Sequence, residues 1–113
     1  MERVIWRTAP GNVPETHEIG HVFLMTGAVP STGWLRGCIA LNDKGFVLTG
    51  ADLTAADLAL SNGAVAWLPQ SFETSRPGIF AVGDVRCGSV KRVAAAVGEG
   101  SASVQQVHQA LRD

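Results

Sequence analysis

The segment between positions 76 and 111 limits the fold of this chain more than any other part of the sequence. A turn sequence at Arg76-Pro77-Gly78 precedes the apolar residues 79–82, which have the composition of a short strand. Gly83-Asp84 ends that strand, and after a loop a helix is predicted from about Val90 to Leu111. The order strand, glycine turn and helix indicates an α/β fold, in which ligands bind beyond the carboxyl ends of strands.

The predicted helix has an apolar face. Its members recur at intervals of four, seven, three and four residues, which follow the 3.6-residue period: Val93, Val97, Val104, Val107 and Leu111. Ser89 is the predicted N-cap. Gly98 and Gly100 each cost about 1 kcal/mol relative to alanine inside a helix. We therefore expect close packing at both glycines, against a cofactor, another backbone or the sheet of this chain.

Asp84 is the first candidate for a binding residue. Its carboxylate can accept hydrogen bonds from the hydroxyls of a sugar or ribityl chain, and Gly83 allows the backbone to approach closely. The start of the following helix adds N–H groups and partial positive charge. An aspartate here also serves as a turn former, and the residues alone do not decide between the two roles. Lys91 and Arg92 can likewise meet an anionic partner or form a solvated first turn.

The first part of the chain favours strands. Residues 3–7 are β-branched and aromatic and predict a strand, and residues 9–12 predict a turn. Residues 21–27 form an almost unbroken apolar run, which predicts a strand buried in the middle of a sheet.

The middle of the chain predicts two short strands, at residues 38–41 and 45–49, joined by the turn sequence Asn42-Asp43-Lys44-Gly45. A short helix is expected within residues 51–60, where Thr54 and Asp57 have the spacing of a capping pair.

Ser61-Asn62-Gly63 would end that helix, and residues 65–69 would return towards the sheet.

Composition excludes several classes of function. The net charge of −1 gives no support for nucleic-acid binding. No apolar run approaches the roughly 20 residues of a membrane span, and the N-terminus lacks the features of a signal peptide, so a cytoplasmic location is expected. Cys38 and Cys87 form no C-x-x-C pair, and we expect two reduced, half-buried side chains. His17 and His21 lack a third ligand, so no metal site is predicted.

Three segments resemble the thioredoxin reductases and their relatives. Residues 73–86, with Gly78-Ile79-Phe80-Ala81-Val82-Gly83-Asp84, resemble the second FAD-binding motif of that family. Residues 88–100 resemble the subgroup in which such a module is fused to a regulatory domain, for example a cyclic-nucleotide-binding one. Residues 21–35 resemble the passage from the NADPH domain back into the FAD domain.

This resemblance implies a partial FAD/NAD(P)-binding, Rossmann-like fold with short strands and a long C-terminal helix. Residues 1–30 would end an NADPH-binding domain, and residues 31–113 would form the C-terminal half of an FAD-binding domain. Gly83 and Asp84 would contact the ribityl and pyrophosphate region of FAD. The start of the helix, at Arg92, Val93 and Ala94, would lie beside the pyrimidine edge of the isoalloxazine.

The implied parent function is electron transfer from NADPH through FAD to a disulfide or another acceptor, in a homo-oligomer. The sequence contains neither the G-x-G-x-x-G motifs that hold FAD and NADPH nor the redox C-x-x-C. We therefore expect this chain to be inactive alone and to need the upstream flavoprotein portion, with a thioredoxin-like protein as a candidate acceptor. The alternative is a non-enzymatic, self-associating structural fragment that binds no flavin.

Overall fold

The computed structural model describes residues 2–62 and 67–112 and has a mixed α/β fold, as predicted. Two strands and two α-helices are present in the described residues: β1 (Val4–Thr8), β2 (Val13–His17), α1 (Ala55–Asn62) and α2 (Val93–Arg112). Three short 3-10 helices lie at Gly33–Leu35, Gly50–Asp52 and Gly83–Val85.

The two strands form an antiparallel hairpin. Val4 is opposite His17 and Thr8 is opposite Val13, and the Asn12 N–H donates to the Thr8 carbonyl oxygen at 3.1 Å. The strand and turn predicted at residues 3–12 are therefore confirmed. Strand β2 was not predicted. It contains Pro14, which is tolerated because both strands of a two-stranded hairpin are edge strands.

The buried strand predicted at residues 21–27 is wrong. The segment contains no strand, and all of its side chains are exposed, with Phe23 85% and Leu24 82% accessible. An apolar run indicates a tendency towards burial but does not supply the surface that would cover it. The described part of this chain covers none of these side chains.

The small core lies around Val47, which is 1% exposed. Its N–H donates to the Val85 carbonyl oxygen at 2.8 Å, and its carbonyl oxygen accepts from the Cys87 N–H at 2.8 Å. The predicted turn before it is confirmed, since the Asn42 side chain accepts from the Phe46 N–H at 2.9 Å. The two strands predicted around this turn are reduced to one bridge between Leu41 and Val47.

A second turn leads to the candidate site. The Thr74 N–H donates to the Ile79 carbonyl oxygen at 2.8 Å, and the buried Glu73 carboxylate accepts from the Gly78 N–H at 2.8 Å. The turn predicted at residues 76–78 is thus confirmed. The strand predicted at residues 79–82 is observed as extended chain with one bridge, from Phe80 to Glu73.

Helix α1 begins as predicted from its capping residues. The Thr54 N–H donates to Asp57 Oδ2 at 2.8 Å, and the Asp57 N–H donates to Thr54 Oγ1 at 3.3 Å. The helix ends at Asn62, within the predicted terminator. The prediction for residues 65–69 falls partly on residues 65 and 66, which lie outside the described residues.

Helix α2 begins at Val93, three residues later than predicted. Ser89 is therefore not its N-cap, and the Ser89 hydroxyl accepts from Lys91 Nζ at 2.7 Å. The predicted apolar residues do share a face, but that face is exposed, with Val97 67% and Leu111 78% accessible. The half-buried residues of the helix lie on another face: Ala95, Ala96, Glu99, Gly100, Ser103, Gln106 and Ala110.

Neither helical glycine is closely packed. A Cβ atom added at Gly98 or Gly100 would meet nothing within 4 Å. The expected close approach at these glycines is therefore wrong for the described part of this chain. Among those residues, no helix is long and apolar enough to cross a membrane.

Candidate functional site

The Gly83-Asp84 turn lies against the first part of α2. Gly83 has a φ of +78°, which glycine adopts without steric cost. A Cβ atom at Gly83 would lie 3.4 Å from the Ala96 Cβ atom, in van der Waals contact with the helix. Glycine at this position thus permits the turn.

One carboxylate, that of Glu99, ties this turn to α2. Glu99 Oε2 accepts from the Gly83 N–H at 2.8 Å and from Arg86 Nε at 3.0 Å. Glu99 Oε1 accepts from Arg86 Nη2 at 2.7 Å. We call Gly83, Arg86 and Glu99 the Glu99 anchor. It combines a bidentate arginine–carboxylate pair with a charge-assisted bond to backbone, a strong arrangement because both oxygens are used.

The electrostatics of the Glu99 anchor agree with this geometry. The bonds from Arg86 and, more weakly, from the Gly83 N–H hold the pKa of Glu99 below its ordinary value, although partial burial opposes them. The same pair raises the pKa of Arg86. Both side chains are largely shielded, with 18% and 14% of Arg86 and Glu99 accessible.

The backbone polar groups of Gly83 are both engaged inside the chain. Its N–H donates to Glu99, and its carbonyl oxygen accepts from the Arg86 N–H at 3.0 Å. Gly83 therefore has no unoccupied backbone N–H to offer to a phosphate. What it offers to a ligand is the absence of a side chain.

Asp84 lies in this turn, and its side chain is exposed. Within residues 2–62 and 67–112, no hydrogen bond or ion pair of its side chain is found. Its carboxylate oxygens are thus available to a ligand that carries hydroxyl groups.

The start of α2 presents free amide groups and apolar surface. The first helical hydrogen bond runs from the Ala96 N–H to the Arg92 carbonyl oxygen at 3.0 Å, so the amides of residues 93–95 precede it. Arg92, Val93 and Ala94 are all exposed. No acidic residue lies in the first turn, so the partial positive charge of the helix end is not offset there.

The Lys91 ammonium group is already bound by other groups of this chain. Its Nζ donates to the Arg86 carbonyl oxygen at 3.0 Å and to the Ser89 hydroxyl at 2.7 Å, and it lies 4.4 Å from the centre of the Phe46 ring. These contacts fix the loop before α2. Of the two basic residues considered from sequence, Arg92 is therefore the one more available to a ligand.

The donors and acceptors of this surface fit a flavin nucleotide. An exposed carboxylate suits ribityl hydroxyls, unpaired amides suit a carbonyl edge, and exposed Val93 suits a planar ring. The turn that carries Asp84 contacts α2, the helix whose start carries the other three candidate residues. Sequence reasoning missed Arg86 and Glu99, because they are 13 residues apart and no local spacing indicates that they meet.

The two cysteines are not among the candidate binding residues, although Cys87 directly follows Arg86 of the Glu99 anchor. Both are free; Cys87 is half-buried, as predicted, and accepts from Asn42 Nδ2 at 3.5 Å. Cys38 is exposed, so the prediction of a half-buried side chain is wrong there.

His17 lies in the hairpin, where it stacks on Trp6 with ring centres 3.8 Å apart and bonds to Glu15. The hydrogen bonds from His17 and Thr8 lower the pKa of Glu15.

Comparison with known proteins gives consistent matches. No family model matches the chain. The F subunit of alkyl hydroperoxide reductase in Pseudomonas aeruginosa is 33% identical over 84 residues, which cover 74% of this chain and 12% of that protein. The corresponding protein of Pseudomonas putida is 32% identical over 89 residues, covering 77% of this chain and 14% of that protein.

A solved structure agrees with these relatives. The crystal structure of thioredoxin reductase from Streptococcus pyogenes matches with a TM-score of 0.65 and 26% identity. That match covers 98% of this chain and 30% of the reductase chain. The chain therefore spans less than a third of the length of each of these proteins.

Proposed function

Since this chain is homologous to a portion of the thioredoxin-reductase-like pyridine nucleotide-disulfide oxidoreductases, we propose that it supplies part of the FAD site of such a flavoprotein. The observation that carries the proposal is the exposed Asp84 carboxylate on a turn that contacts α2, whose start is exposed and electropositive. When bound, the flavin supplies electron transfer between NADPH and a disulfide or another acceptor.

Each candidate residue then has a separate task. Asp84 accepts hydrogen bonds from ribityl hydroxyls, and Gly83 lets the ligand approach the backbone. The amides of Val93 and Ala94 donate towards the pyrimidine edge of the ring, and the partial charge of the helix start favours negative charge at that edge. Arg92 adds a formal positive charge beside it.

The complete reaction needs groups that this sequence does not contain. A G-x-G-x-x-G turn for each nucleotide and a redox disulfide would come from an upstream flavoprotein portion or a partner chain. In this proposal residues 1–30 end an NADPH-binding domain, residues 31–113 belong to the FAD-binding domain, and a thioredoxin-like protein accepts the electrons.

A second candidate function is favoured by the apolar surface. The accessible surface is 8384 Å², against about 5900 Å² for a compact monomer of this mass. The apolar face of α2 and residues 22–25 contribute exposed side chains to this excess. A self-associating structural fragment without flavin would cover them, and the two candidates differ in whether the isolated chain retains FAD.

The proposal predicts that FAD binding depends on Asp84. Purified chain is mixed with FAD, free flavin is removed, and the retained visible absorption is compared with that of an Asp84→Ala variant. A charged hydrogen bond contributes about 1.5–3 kcal/mol, so the variant should bind FAD roughly tenfold to a hundredfold more weakly. Glu18→Ala, another exposed carboxylate, should bind like the wild type. Equal binding by both variants would remove Asp84 from the site.

A further inference from the structure

The Glu99 carboxylate lies at the junction between the ligand-facing turn and α2. It receives three hydrogen bonds of 2.7–3.0 Å, two from Arg86 and one from Gly83. Both of its oxygens already accept hydrogen bonds inside the chain. Through these bonds Glu99 can act on a ligand by way of the groups that it holds.

The hydrogen bonds that join this turn to α2 run to Glu99. Asp84 is exposed, and the 3-10 helix Gly83–Val85 is a single turn. On the other side of the strand end, Val85 is held by the Val47 N–H at 2.8 Å. Within the contact between this turn and α2, Gly83 lies against Ala96, and this pair is too small to give much apolar burial. The Glu99 anchor adds charge-assisted hydrogen bonds to this contact.

We propose that Glu99 is a positioning residue: through Arg86 and the Gly83 N–H it holds the Gly83-Asp84 turn on α2 and so sets the direction in which Asp84 meets its ligand. The consequence for affinity rests on the proposed FAD site. The positioning itself does not, because the hydrogen bond from Gly83 exists in the chain without any ligand.

The charged groups around the anchor come from several elements. Lys91, in the loop before α2, adds positive charge near Glu99, and Asp52, in the 3-10 helix Gly50–Asp52, adds negative charge near Arg86. The Cys87 thiol also lies near Arg86. Of these groups, only Glu99 accepts the Gly83 N–H, so removing it has an effect that the others cannot reproduce.

The direct test is hydrogen exchange at the Gly83 amide, measured by NMR at neutral pH without FAD. Glu99→Ala should speed this exchange at least tenfold, because the acceptor is gone. Arg86→Met should leave it slow relative to Glu99→Ala, because Glu99 remains to accept the bond. Unchanged exchange in Glu99→Ala would overturn the proposal. If Glu99→Ala fails to fold, fast Gly83 exchange in the wild type would overturn it equally.

The second test separates positioning from general loosening of α2. Gln106 also joins α2 to the chain, since its Oε1 accepts from the Phe72 N–H at 3.1 Å and its carbonyl oxygen accepts from Gln70 Nε2 at 3.3 Å. Gln106→Ala therefore weakens the docking of the helix away from the turn. FAD affinity should fall about tenfold or more in Glu99→Ala and stay within about twofold in Gln106→Ala.

Equal losses in these two variants would mean that Glu99 acts only on stability and would overturn the link to the ligand. If the wild type retains no FAD, the proposed function fails instead. The positioning role would then still be decided by the Gly83 amide.

Discussion

At the scale of single residues, Glu99 links the charge state of one carboxyl group to the position of a turn. Its folded-state pKa lies below the ordinary value because Arg86 and the Gly83 N–H stabilise the ionised form. A depressed carboxyl pKa means that the unfolded chain binds the proton more readily than the folded one. The contribution of Glu99 to stability is therefore complete above its unfolded-state pKa, and it is lost as pH falls through the lower folded-state value.

We therefore predict that acid destabilises the wild type more than a Glu99→Ala variant. Between neutral pH and about pH 4.3, the ordinary value for glutamate, the difference in unfolding free energy should be constant, at roughly 2 kcal/mol. Below that it should shrink. Urea unfolding at a series of pH values measures both curves.

Glu18→Ala serves as the control, because it removes an exposed carboxylate and should keep the acid sensitivity of the wild type. The Arg86 guanidinium, whose pKa is raised, stays charged throughout and adds no slope of its own. A Glu99→Ala curve parallel to the wild type at all pH values would contradict the assignment.

The carboxylates of Asp57 and Glu99 both bind backbone N–H groups, but the sequence predicts only the contact of Asp57. Asp57 follows Thr54 by three residues, and the capping pair that this spacing predicts is observed. Glu99 is 16 residues from Gly83 and 13 from Arg86, and nothing local indicates that these groups meet. Contacts of the first kind follow from chain geometry, whereas the second kind depends on how a turn and a helix pack.

At the scale of elements, α2 shows what an apolar period does and does not predict. The spacing of its valines gives the helix and the shared face correctly. It does not say that the face is covered, and the bonds from the rest of the chain to α2 instead reach Glu99 and Gln106 on another face. The strands predicted at residues 21–27 and 79–82 differ from the structure for a related reason, since a strand needs a neighbour to pair with.

Gly98 provides a prediction about this helix. Because a Cβ atom there would meet nothing within 4 Å, Gly98→Ala should stabilise the isolated chain by about 0.5–1 kcal/mol through helix propensity. Thermal or urea unfolding followed by circular dichroism measures the change.

Gly83→Ala is the opposite control for Gly98→Ala, because its φ of +78° penalises a side chain. It should destabilise the chain. If Gly98→Ala instead destabilises the chain, the helix is closely packed at that point in solution, by another copy or another surface.

At the scale of the whole molecule, the chain is open. Its radius of gyration is 19.8 Å, against about 13 Å for a compact domain of this length, and its longest dimension is 61 Å. Val47 is the fully buried hydrophobic residue of the described chain, while Phe23, Leu24, Val97 and Leu111 are mostly exposed. Surface of this kind is expected to be covered in solution.

The final prediction concerns what covers this exposed apolar surface when the chain is alone. If copies associate through the apolar face of α2, sedimentation should show an oligomer whose population rises with concentration. In a symmetric dimer, the double variant Val97→Gln, Leu111→Gln should raise the dissociation constant roughly ten-thousandfold, since two buried aliphatic side chains from each copy contribute about 1.5 kcal/mol each. Val13→Gln, on the exposed side of the hairpin, should leave it unchanged. An oligomer that survives the double variant would place the contact elsewhere, with residues 22–25 the next surface to alter. An oligomer that dissociates when FAD is added would favour the flavin-binding role over the structural one.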